Sequence, residues 1–152
     1  MFTPDAVAGI VDIFGALTPA ETEAALSELA YRRGREPPDG AIDDALESFA
    51  LVEFVEDGER LLAPGPSAFP ELPGGSEDLP HILDVESRSV DRDALERAAV
   101  ERLRAAADRT VAADDRARAN ELIEVSYDIE AWGGDDRSAI RERLEGVADG
   151  TN

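Results

Sequence analysis

Histidine occurs once, at position 81, in the run Leu79-Pro80-His81-Ile82-Leu83-Asp84. A carboxylate three residues on and serines nearby in sequence are the parts of a triad in which imidazole takes the proton of a serine hydroxyl. No nucleophile-elbow sequence accompanies them, and the plainer reading of His81 is a partly buried side chain that anchors its segment or hydrogen-bonds Asp84. Cysteine and lysine are both absent. Their absence excludes thiol catalysis, cysteine-ligated metals, disulfides, Schiff-base chemistry and a lysine-dependent phosphate loop.

Carboxylates cluster at Asp43, Asp44 and Glu47, at Asp114 and Asp115, and at Asp135 and Asp136, where oxygen donors suit Mg²⁺ or Ca²⁺. None has the glycine-centred loop spacing of an EF-hand, and the last pair is better placed to cap a helix. With 35 acidic residues in the chain, such groupings arise as solvated faces. Gly133-Gly134 reads as a helix stop with no dinucleotide fingerprint around it. No catalytic residue, metal site or cofactor is therefore expected, and candidate functional residues are contacts. Arg32, Arg33 and Arg35 form the basic cluster of the first half, suited to a helix C-terminal dipole or to an acidic partner. Ile123 and Tyr127 lie one helical turn apart, beside a stripe that is already apolar, and are expected to dock onto the N-terminal unit or a second copy of the chain.

The elements that carry these residues are legible in punctuation and periodicity. Thr3-Pro4-Asp5 is an N-cap with proline at the first helical position, followed by Val7, Ile10, Val11 and Phe14 up to Gly15. Thr18-Pro19-Ala20-Glu21 is a capping box that opens a second helix ending at Arg32-Arg33-Gly34. After Pro37-Pro38-Asp39-Gly40, the spacing of Ile42, Ala45, Leu46 and Phe49 predicts a third, shorter helix. It runs directly into Leu51 to Val55, a turn at Glu56-Asp57-Gly58-Glu59 and Arg60 to Ala63, the pattern of a β-hairpin. Prolines and glycines from Pro64 to Pro80 rule out helix and central strand alike in this reading, while Phe69, Leu72, Leu79, Ile82 and Leu83 suit a segment that lies against the protein.

The second half is expected to be helical. One helix starts at Val90-Asp91, a second runs from about Ala112 to Trp132, and Asp136 caps a short last helix carrying Ile140, Leu144 and Val147. Residues 122–132 also alternate in strand fashion, so the second helix competes there with a β reading. The fold expected is mainly α with one β-hairpin. It is organised as an N-terminal unit at 1–63, a Pro/Gly-rich connector at 64–90 and a helical unit at 91–152.

Three helices followed without a loop by a hairpin resemble the winged helix-turn-helix family over residues 1–63. That resemblance implies a third helix in the DNA major groove and a wing on phosphate. The reading helix here would carry Asp39, Asp43, Asp44 and Glu47 without an arginine, and the wing has Glu53, Glu56, Asp57 and Glu59 against Arg60. DNA binding is therefore disfavoured, and a protein-docking winged unit is the expectation.

Charge points to the solvent. All 15 basic residues are arginine, and the formal net charge is -20. Self-repulsion of that size is poorly screened at ordinary salt, where the Debye length is ~10 Å, and well screened at molar salt, where it is ~3 Å. Such a composition suits a cytosol loaded with KCl. The segments PGPSAFPELP, DLPHILD and EVSYDIEAWG resemble those of small acidic haloarchaeal proteins known only as a domain of unknown function. No run approaches the ~18 apolar residues of a membrane span, and no basic-then-apolar leader opens the chain. The expectation is a cytoplasmic, non-enzymatic protein-interaction or regulatory module that meets a protein partner or itself and no membrane. The alternative is a winged-helix DNA-binding transcription regulator.

Overall fold

The computed structural model describes residues 2–36, 39–133 and 137–149. Among them the chain is mainly helical, with a single two-stranded antiparallel sheet. Helices α1 (Pro4–Phe14), α2 (Pro19–Arg32) and α3 (Ala41–Glu47) precede strands β1 (Leu51–Glu56) and β2 (Glu59–Pro64). A 3₁₀ turn (Ser76–Asp78) leads into α4 (Leu79–Leu83), followed by α5 (Arg92–Ala113), α6 (Arg116–Gly133) and α7 (Ser138–Ala148). Two compact units divide the chain, Met1–Leu95 and Glu96–Asn152.

Capping chemistry sets the first two helices. Thr3 Oγ1 accepts from the Ala6 N–H at 3.1 Å, and Thr18 and Glu21 exchange both bonds of the capping box at 3.1 and 2.9 Å. Gly40 opens α3 in the left-handed region. At the other end Phe49, at φ 64° and fully buried, turns the chain straight from α3 into β1. Asp57 and Gly58 both take positive φ, 53° and 79°, between the paired residues Glu56 and Glu59. That is the turn geometry whose twist matches a hairpin. Leu17 adds a third segment to the sheet, exchanging backbone hydrogen bonds with Leu62 at 3.0 and 2.7 Å.

Residues 64–90, set apart by composition as a connector, fall within the first compact unit. Leu79 is fully buried in its core beside Val7, Ile10, Phe14 and Leu29, and Ala68, Leu83 and Val85 pack onto that cluster, whereas Phe69, Leu72 and Ile82, expected to lie against the protein as well, are exposed. Backbone hydrogen bonds fasten this strap, from Gly65 and Ser67 to the Ala50 and Phe49 carbonyls and, further on, to α1. The Glu71 N–H donates to the Asp5 carbonyl at 3.0 Å, and the Arg88 N–H to the Phe14 carbonyl at 2.7 Å. Both contacts need glycine opposite: a Cβ on Gly9 would stand 1.8 Å from the Glu71 carbonyl oxygen, and one on Gly15 2.2 Å from that of Arg88. The strap also contains helix, contrary to the expectation from its prolines. Pro80 sits in the first turn of α4, where its missing N–H costs no hydrogen bond.

In the second unit, Ala99, Leu103, Ala106 and Ala107 of α5, Ala119, Leu122, Val125 and Ile129 of α6, and Ile140, Leu144 and Val147 of α7 are buried. Residues 122–132 are helix throughout. The helix starts later than Ala112, because Asp114 takes φ 53° and Asp115 accepts from the Arg118 N–H at 3.1 Å as the N-cap of α6. Asp136, expected to cap the last helix, lies outside the described residues.

Candidate functional site

In the first unit, α2, the start of α3 and the hairpin enclose a groove of about 430 Å³. Leu26, Ala41, Ile42, Leu46 and Leu62 supply its apolar walls, of which Ile42 and Leu46 remain partly exposed. Glu23, Asp39, Asp43 and Glu53 line it with negative charge, and Arg60 is the cation among its lining residues. Arg60 is engaged: its Nε and one terminal nitrogen donate to the two oxygens of Glu53 at 2.7 and 3.0 Å. This fork raises the Arg60 pKa above its ordinary value, first through the hydrogen bonds and then through the charge of Glu53. Beyond the groove, Asp44 and Glu47 on α3 and Asp57 and Glu59 at the hairpin turn are exposed.

The arginine cluster occupies the opposite end of α2, which at 1.5 Å per residue is about 20 Å long. Arg32 approaches Glu28 at 3.4 Å and Asp78 at 3.8 Å, and Arg33 donates to the Gly74 carbonyl at 3.2 Å. Two members thus hold the strap to α2, while the exposed Arg35 donates its backbone N–H to Ala30. Arg60, beside Pro19 and Glu23, and Arg32 and Arg33 stand at different ends of the helix and form no single basic stripe.

His81 is exposed in the last turn of α4, not partly buried. It makes no hydrogen bond to Asp84 or to a serine among the described residues, and Asp84 ends the helix at φ 53°. No group of three metal-ligating side chains is found among the described residues, where Asp115 serves as a helix cap. Asp135 and Gly134 lie outside them.

In the second unit, Tyr127 is 53% exposed and Ile123 is half-buried. The Arg141 guanidinium lies 3.9 Å from the Tyr127 ring centroid, donates to Ser126 Oγ at 3.2 Å and bonds Glu130. Arg143 reaches Asp108 at 2.8 Å. Neither the Arg141 cluster nor the groove is plainly marked in the sequence. An arginine next to Ile140 on an apolar stripe is a faint signal for the first. The groove brings together residues from positions 19 to 62, which no local spacing reveals.

What the fold and groove define is a mainly α protein with one hairpin and a negatively charged recess. The chain belongs to a family of unknown function, DUF7109, whose model matches residues 5–149. No curated protein and no solved structure matches it. No described helix is long and apolar enough to cross a membrane.

Proposed function

We propose that this protein is a non-enzymatic protein-interaction or regulatory module of a salt-adapted cytoplasm. In this reading its first unit is a winged-helix-like fold that docks protein in place of duplex DNA. The order α1, α2, α3 and hairpin supports the winged reading. One observation carries the choice of partner: the surface that would face DNA offers Asp43, Asp44, Glu47, Asp57 and Glu59, and its Arg60 is already bound by Glu53. Duplex affinity comes largely from neutralising phosphates, and carboxylates in those positions add repulsion that salt weakens but never inverts. The Ile123–Tyr127 stripe of α6 is the complementary surface for self-association.

The element order also favours the second reading, a DNA-binding regulator. Selection from a random-sequence duplex library in molar KCl separates the two. No enriched motif is expected. A motif whose enrichment is lost on substituting Asp43, Asp44 and Glu47 would replace the docking reading with the DNA reading.

A further inference from the structure

We infer that the groove between α2, α3 and the hairpin receives a cationic amphipathic segment of a protein partner, with arginine or lysine on one face and aliphatic side chains on the other. This deepens the docking reading and rests on it. The first support is the unbalanced charge of the groove. Glu53 is matched by Arg60, but Glu23 on α2, Asp39 before α3 and Asp43 in its first turn make no ion pair or hydrogen bond with their side chains among the described residues. With 35 acids against 15 arginines most carboxylates lack a cation, so what sets these three apart is their position around one partly apolar recess. Three unmatched carboxylates that converge on one recess favour cations and reject phosphate.

The second support is the wall beneath them. Ile42 and Leu46, one turn apart on α3, keep part of their surface exposed inside a recess of about 430 Å³, room for a few side chains and too little for a folded domain. A cation alone would leave that apolar surface wet. A segment that pairs its charges with the rim and seats an aliphatic side chain on Ile42 and Leu46 satisfies both, as amphipathic helices do in grooves. The Arg60–Glu53 fork closes the hairpin side and withholds from the partner the one cation that would repel it.

The test uses the full chain and synthetic peptides in about 1 to 3 M KCl, where repulsion within the protein is screened. The probe alternates arginine and leucine at helical spacing, and its controls are a glutamate-for-arginine twin and a scrambled peptide of the same composition. The arginine peptide should shift the backbone resonances of Glu23, Ile42, Asp43 and Leu46, and bind more weakly as KCl rises. The Glu23→Gln, Asp39→Asn, Asp43→Asn variant, which removes charge without removing volume, should weaken it about tenfold or more. Ile42→Ala should weaken it while leaving its salt dependence intact. Equal binding by the scrambled or glutamate peptide, an unaffected triple variant, or shifts confined to other surfaces would overturn the proposal. So would no peptide binding at all. If the duplex library yields no motif either, that failure removes only the partner's chemistry, whereas an enriched motif removes the docking reading itself.

Discussion

Arg88 donates to Glu21 Oε1 at 2.7 Å across 67 residues of sequence, and the same oxygen accepts the Thr18 backbone N–H at 2.9 Å. One carboxylate thereby caps α2 and clamps the end of the strap, with Arg88 also reaching the Ala16 carbonyl at 3.1 Å. Burial opposes ionisation of Glu21, but hydrogen bonds from Arg88 and Thr18 and the charge of Arg88 outweigh it, and its pKa falls below the ordinary value. The Arg88 pKa is raised in turn, chiefly by its hydrogen bond to Glu21.

A carboxyl whose pKa is depressed by folding contributes stability that is fully present above its unfolded value and is lost as pH falls through its folded value. Glu21→Gln keeps an acceptor for Thr18 but loses the charge, and should cost about 1 kcal/mol at neutral pH. The melting difference from wild type should shrink as pH drops below the ordinary carboxylate range. A gap that stays constant into acid would contradict the clamp.

Gly9→Ala sets two effects of opposite sign against each other. Helix propensity alone favours alanine by ~1 kcal/mol at a mid-helix glycine. The new Cβ, however, would meet the Glu71 carbonyl oxygen at 1.8 Å and push the strap off α1. Contact should win, with a net loss of about 1 to 3 kcal/mol in denaturant unfolding and faster proteolysis within 65–90. A more stable Gly9→Ala would mean that the strap does not pack against α1 at Gly9.

Arg141 is 9% exposed and joins Ser126, Tyr127 and Glu130 of α6 to α7. Arg141→Met should cost about 2 to 4 kcal/mol, because it leaves the Glu130 carboxylate without its partner. Glu130→Gln in the same chain should recover part of that loss. Additive losses in the double variant, measured by thermal melting in molar KCl, would show that the two residues are not coupled.

With a net charge of -20, salt is expected to stabilise the fold. Dialysis from molar KCl to low salt should lower the thermal midpoint and the helical circular dichroism signal, since the screening length lengthens from ~3 to ~10 Å. A midpoint that is unchanged across that range would contradict a salt-adapted design.

Much of the fold is legible locally because caps and turns are local chemistry. Thr3, the Thr18–Glu21 box and Asp57-Gly58 mark the same elements in sequence and in structure. The α5–α6 junction was blurred because Ala112 and Ala113 are good helix formers, and only the Asp114 backbone and the Asp115 cap show the break. The alternation from Ile123 to Glu130 suits a strand as well as a helix. Burial of Leu122, Val125 and Ile129 at helical spacing decides for helix, a tertiary effect that no propensity records. The strap and the groove were hidden for the same reason. Arg88 meets Glu21, and Glu53 and Arg60 face Glu23, only after the chain has folded back on α1 and α2.

Site-specific photo-cross-linking reads out which surface docks and what docks there. A photoreactive residue replaces Glu47 on the exposed face of α3, or, as a control, the exposed Glu145 of α7, and the full chain is irradiated in native lysate at molar KCl. The docking account predicts a discrete protein adduct from position 47 that is absent from position 145 and is competed by the arginine–leucine peptide. A nucleic-acid adduct from position 47, or the same protein adducts from both positions, would contradict it.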